Sequence, residues 1–90
     1  MSRFIIDDKA VEFIKETLKK EDAQAVRIFI SGGGCCRRLE IIPVKKALSG
    51  DATYTRGGIT VHIEKGLVDN ASTVEINFDE QKGLLINLYE

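Results

Sequence analysis

Ala25-Val26-Arg27-Ile28-Phe29-Ile30-Ser31-Gly32-Gly33-Gly34-Cys35-Cys36-Arg37-Arg38 holds the features from which the rest of the chain is read. Val26, Ile28 and Ile30 alternate with Arg27, Phe29 and Ser31, a period of two that predicts a strand over residues 25–31 with apolar side chains available to both faces. Three glycines break that strand, and extended structure resumes over residues 37–43 through Leu39, Ile41 and Ile42. Cys35 and Cys36 therefore stand at a glycine turn between two strands.

On the N-terminal side, Val11, Ile14 and Leu18 recur at helical spacing, with Ala10 and Phe13 widening the stripe. They predict an amphipathic helix over residues 8–20, lying on a sheet. Asp7 is placed to cap it, with Asp8 at the positive end of its dipole and Lys19 and Lys20 at the negative end. On the C-terminal side, strands are predicted at 52–55, 59–64, 73–78 and 84–89, punctuated by Gly50-Asp51, Gly57-Gly58 and Lys82-Gly83, with a short helical turn within 66–71. One helix and about six short strands predict a β-rich α+β domain, a small sandwich or incomplete barrel. Ninety residues, 43% of them apolar, suffice for one core, so residues 1–90 are read as a single domain.

Thirteen Lys and Arg against fourteen Asp and Glu leave a net charge of −1, with no general pull toward nucleic acid or an anionic membrane. The charge is uneven, since residues 37–46 carry four cations against Glu40, while residues 64–90 carry six anions against two cations. No apolar run approaches the roughly 18 residues of a membrane span, and the first ten residues show no signal-peptide pattern. A soluble, cytoplasmic protein is expected.

The chain has two cysteines, and they are adjacent. A bridge between neighbours closes almost no loop, so the pair is not a stabilising staple. Consecutive Cα atoms lie about 3.8 Å apart against a usual disulfide range of about 4.4–6.8 Å, so a Cys35–Cys36 bridge is strained and readily reduced. Gly33 and Gly34 permit close approach of a ligand, and Arg37 or Arg38 beside the thiols favours the thiolate. Strand alternation brings only one of the two arginines near the sulfurs. Two buried small hydrophobes are the bland alternative. The chemical alternatives are a dithiol that cycles with a vicinal disulfide, and thiolates that ligate a soft ion or an iron-sulfur cluster. A cluster usually asks for four sulfurs, which two copies of the chain supply.

Elsewhere the signals are weaker. His62 is the one further soft ligand, and its place in Ile59-Thr60-Val61-His62-Ile63-Glu64 reads as an exposed strand histidine facing away from Ile59, Val61 and Ile63. Ser31 and Ser72 lack a nucleophile-elbow context, and the glycine run lacks the Gly-Lys-Ser/Thr ending of a phosphate loop. Asp79 and Glu80 read as turn solvation. Tyr54 and Phe29, beside Arg56 and Arg27, are too sparse for an RNA-binding platform.

The order of helix, Arg27-Ile28-Phe29-Ile30-Ser31-Gly32-Gly33-Gly34-Cys35, an acidic residue near Asp51, Gly58-Ile59-Thr60-Val61 and Gly83-Leu84-Leu85-Ile86-Asn87 resembles the HesB/IscA-like family of A-type iron-sulfur cluster scaffolds and carriers. The resemblance covers nearly the whole chain. It implies two mixed β-sheets with an N-terminal helix, and puts Cys35 where the family's first cluster- or iron-ligating cysteine stands, with an arginine eight residues before it. Family members carry a second pair, Cys-Gly-Cys, near the C-terminus, where this sequence reads Asn87-Leu88-Tyr89-Glu90. The family's Gly-Cys-Ser-Gly is here Gly34-Cys35-Cys36-Arg37, similar to a small subgroup with a Cys-Cys motif.

Two functions follow from these readings. The first is a binding or carrier protein rather than an enzyme, holding iron or an iron-sulfur cluster through Cys35 and Cys36, shared across a homodimer and exchanged with cluster-assembly proteins. The second is a thiol oxidoreductase, without a cofactor, that cycles the Cys35-Cys36 dithiol with a redox partner, Arg37 or Arg38 stabilising the thiolate. Neither involves nucleic acid or a membrane.

Overall fold

A computed structural model describes residues 3–32, 38–46, 50–69 and 71–89, Arg38 through its backbone alone. In chain order the elements are β1 (Arg3–Ile6), α1 (Asp8–Glu21), β2 (Ala25–Ser31), β3 (Arg38–Val44), β4 (Ala52–Arg56), β5 (Ile59–Ile63), α2 (Lys65–Asp69), β6 (Thr73–Asp79) and β7 (Gly83–Tyr89). They form a three-stranded sheet, β1-β6-β7, and a four-stranded sheet, β3-β2-β5-β4. Both sheets are mixed: β1 runs parallel to β6 and β2 parallel to β5, while the remaining pairs are antiparallel. The architecture is the α+β, mainly β sandwich expected, with no closed barrel among the described residues.

The period of two accounts for the core. Val26 and Ile28 on β2 lie beside Val61 and Ile63 on β5, and all four are buried. In the other sheet, Phe4 pairs with Val74 and Val74 with Leu88, while Ile6, Ile76 and Ile86 form the next row. These rows and the helix residues Ala10, Val11 and Ile14 make up one apolar cluster. β2 and β3 pair antiparallel, with Ser31 opposite Arg38 in the last pair.

The 14-residue helix α1 is marginal alone and is held by its buried face and by Asp7. The Asp7 carboxylate accepts the Ala10 N–H at 2.7 Å and the Phe78 N–H at 3.3 Å, and the Asp7 N–H donates to the Ile76 carbonyl at 3.1 Å. The N-cap thus ties the helix to β6. At the other end Asp22 takes the left-handed conformation, φ 52°, that glycine more often supplies. Gly57 and Gly58 both have positive φ, 58° and 86°, as a tight β4–β5 hairpin requires. Gly57 also packs against the helix, because a Cβ there would lie 2.8 Å from Val11 Cγ1.

Three details differ from the sequence expectation. β1 is an additional strand: it has four residues, too few to establish a period, and its partner β6 lies some seventy positions later. Phe13, expected in the buried stripe, is 41% exposed and lies against the Phe78 ring, with centroids 5.1 Å apart. His62 faces away from Ile59, Val61 and Ile63 as expected but is buried, 9% exposed, because β5 is an interior strand with Arg27 of β2 on one side and Thr53 of β4 on the other.

Candidate functional site

The candidate site is the 32–37 segment that joins β2 to β3 in the sequence. Gly32, exposed with φ 80°, leads out of β2 in a conformation that side-chain-bearing residues rarely adopt. Gly33, Gly34, Cys35, Cys36 and Arg37 lie outside the described residues, as does the Arg38 side chain. The expectations for thiolate stabilisation and metal ligation at these positions therefore remain proposals. Among the described residues, no group of three or more His, Cys, Asp or Glu side chains could hold a metal ion.

The strand leading to the turn is anchored on its outer face. The Arg27 guanidinium donates through Nε to Asp51 Oδ2 at 2.7 Å and through a terminal nitrogen to Asp51 Oδ1 at 3.1 Å, a two-pronged carboxylate contact. The side chains are 12% and 3% exposed, and Glu64 Oε2 approaches Arg27 at 3.9 Å. The hydrogen bond to Asp51 raises the Arg27 pKa, desolvation opposes it, and the charges of Asp51 and Glu64 add to the rise, so the guanidinium stays charged. Arg27 also lies over the Phe29 ring, 5.4 Å from its centroid, and Phe29 shares its strand face with Ser31 next to the turn.

Beside this anchor, Thr53 Oγ1 and His62 Nδ1 are 2.8 Å apart. Arg27 and Asp51 are separated by 24 positions, yet both belong to the pattern that suggested the family resemblance, and the fold brings them into contact. The roles of Glu64 and Thr53 had no corresponding sequence signal. They follow from β5 pairing with β2 on one side and β4 on the other.

Two mixed sheets with one N-terminal helix are the arrangement that the resemblance implied, and solved structures share it. Escherichia coli SufA, involved in the biosynthesis of iron-sulfur clusters, matches with a TM-score of 0.76 and 16% identity over 97% of this chain and 79% of that one. IscA, solved with its [2Fe-2S] cluster, matches with a TM-score of 0.67 and 16% identity over 97% of this chain and 84% of that one. An Aquifex aeolicus protein solved in solution by NMR gives 0.68 and 24% identity over 97% and 94% of the respective chains. No protein-family model matches the sequence, and no curated protein matches it significantly. The likeness at these identities is one of fold.

Proposed function

We propose that the chain is a HesB/IscA-like carrier that takes up iron or an iron-sulfur cluster through Cys35 and Cys36 and exchanges it with cluster-assembly proteins in the cytoplasm. The observation that carries this reading is the fold: 97% of the chain follows SufA and IscA, and its only two cysteines follow three glycines in the sequence after β2. The donor chemistry suits the cargo, since thiolates are the common ligands of such clusters. Two sulfurs per chain are half of a four-sulfur set, so a [2Fe-2S] cluster would be held between two copies. Arg37 or Arg38 would lower the cost of holding two thiolates side by side. No observation in the fold favours the cofactor-free dithiol cycle over this reading.

Anaerobic reconstitution of the full, reduced chain with ferric iron and sulfide tests it. The expected product is coloured, contains iron and sulfide in equal amounts at one cluster per two chains, and is lost in Cys35→Ser. A colourless, metal-free protein with both thiols free would overturn the proposal. A loss of two hydrogens confined to the Cys35-Cys36 peptide after mild oxidation, without any iron uptake, would replace it with the dithiol cycle.

A further inference from the structure

A cleft bounded by β1, α1 and the end of β4 lies away from the 32–37 segment. β5 runs parallel to β2, with Val26 beside Val61 and Ile28 beside Ile63. The Gly57-Gly58 turn that precedes β5 therefore lies toward the start of β2, and Ser31 lies toward the other end of the sheet. The cleft has a volume of about 640 Å³, within the range of about 300–1,000 Å³ common for small-molecule sites. One wall is aromatic and held in place: Phe4 is 6% exposed and stacks on Tyr54, with ring centroids 4.9 Å apart and an interplanar angle of 12°.

Four charged side chains line the cleft. Asp8, Glu12 and Lys15 recur at steps of four and three positions on α1, one stripe of the helix about 10 Å long. Arg56 comes from the end of β4, and its guanidinium carbon lies 5.9 Å from the Phe4 ring centroid. A Cβ on Gly58 would stand 3.7 Å from Lys15 Nζ, so the ammonium lies over the turn that follows Arg56. The cations are thus gathered at the Gly57-Gly58 turn, and the carboxylates lie nearer the start of the helix. These two anions and two cations make no ion pair. Among the described residues the only pairs are those of Arg27, and Arg56 hydrogen-bonds the Thr55 carbonyl at 3.0 Å. Asp8 and Glu12, four positions apart, repel each other with no described cation within ion-pairing distance.

We propose that the cleft binds a short peptide with free ends, two or three residues long and apolar in its side chains. Its ammonium meets Asp8 and Glu12, its carboxylate meets Lys15 and Arg56, and its side chains pack on Phe4 and the half-buried Ile6. A simple anion would face the two carboxylates and a simple cation the two basic groups, whereas a zwitterion answers both. Length selects the peptide over a free amino acid. An extended chain spans about 3.3–3.6 Å per residue, so two or three residues cover about 7–10 Å and match the helical stripe, while both charges of one amino acid are attached to a single carbon. All four charged side chains are exposed, which weakens each contact in water and keeps the affinity modest.

The full chain, isotope-labelled, chelator-treated and kept reduced, is titrated with the dipeptide leucyl-phenylalanine and followed by heteronuclear NMR. Saturable shifts are expected at the amides of Ile6, Val11, Glu12 and Gly57, with a dissociation constant below about 1 mM. N-acetyl-leucyl-phenylalanine, leucyl-phenylalanine amide and free leucine should each bind at least about fivefold more weakly. Glu12→Gln and Arg56→Gln should weaken binding of the dipeptide by a similar factor. Glu16→Gln, the same charge change one turn further along α1 and outside the cleft, should leave it unchanged. All three side chains are exposed, and the spectrum reports whether each variant folds; should one cleft variant fail, the other decides. No saturable shift up to about 10 mM, shifts confined to residues outside the cleft, equal binding of the end-blocked dipeptides, or indifference to both cleft variants overturns the proposal. Neither a cysteine nor a metal takes part, so failure here leaves the cluster reading intact, and failure of reconstitution leaves this one intact.

Discussion

Replacing Asp51 with Ala should be the most informative single change near the candidate site. It removes the carboxylate that receives two Arg27 hydrogen bonds, at 2.7 and 3.1 Å, and leaves the charge on a side chain that is only 12% exposed. Stranding a buried charge in this way typically costs about 3–5 kcal/mol. Glu64 at 3.9 Å and the residual exposure of Arg27 offset part of that, which puts the expected loss near the lower end, about 3 kcal/mol. In a domain of this size each kcal/mol lowers the melting temperature by about 4–8 °C, so a fall of more than 10 °C, or roughly so, is expected. Urea unfolding followed by circular dichroism gives the free energy. Asp51 has contacts besides Arg27, so a double-mutant cycle with Arg27→Met isolates the pair. Arg27→Met, Asp51→Ala should be less destabilised than the sum of its single changes by at least about 1.5 kcal/mol. A loss below about 1 kcal/mol in Asp51→Ala, or additive single changes, would refute the account of Arg27 as a buried ion needing its partner.

Three other outcomes follow from the geometry. Gly57→Ala forces a Cβ to 2.8 Å from Val11 Cγ1 at φ 58° and should cost about 2–4 kcal/mol in chemical unfolding, with Val11→Ala in the same chain relieving the steric part. Asp7→Ala leaves the Ala10 and Phe78 N–H groups without their acceptor and should cost about 2 kcal/mol by the same assay, with Asp7→Asn recovering more than half. Tyr89 donates to Glu75 Oε1 at 2.8 Å, and that hydrogen bond, followed by the carboxylate charge and desolvation, raises the phenol pKa above its ordinary value. Its stabilising effect is present below the unfolded phenol pKa and is lost as pH rises through the higher folded one; ultraviolet titration should show Tyr89 ionising at lower pH in Glu75→Gln.

The local pattern made most elements readable. Alternation in Val26, Ile28 and Ile30, helical spacing in Val11, Ile14 and Leu18, and glycines between them specify strand, helix and turn because each depends on neighbours within a few positions. The capping role of Asp7 and the positive-φ turn at Gly57-Gly58 were legible for the same reason. β1 was not, since four residues become a strand only when β6 arrives alongside. The burial of His62 was not either: alternation correctly gave the side on which it points, but its cover comes from strands on either side.

The candidate site divides along the same line. Two adjacent cysteines after three glycines are a property of the sequence alone, because the peptide bond fixes the spacing of neighbouring Cα atoms whatever the fold. That Arg27 reaches Asp51, that Glu64 lies 3.9 Å from the same guanidinium, and that Arg56 shares a cleft with Asp8, Glu12 and Lys15 were decided by tertiary structure. Those relations depend on strand order, which sets residues from distant parts of the chain side by side and leaves one strand of each sheet edge without a partner, and strand order is settled by the packing of the whole core rather than by any one segment.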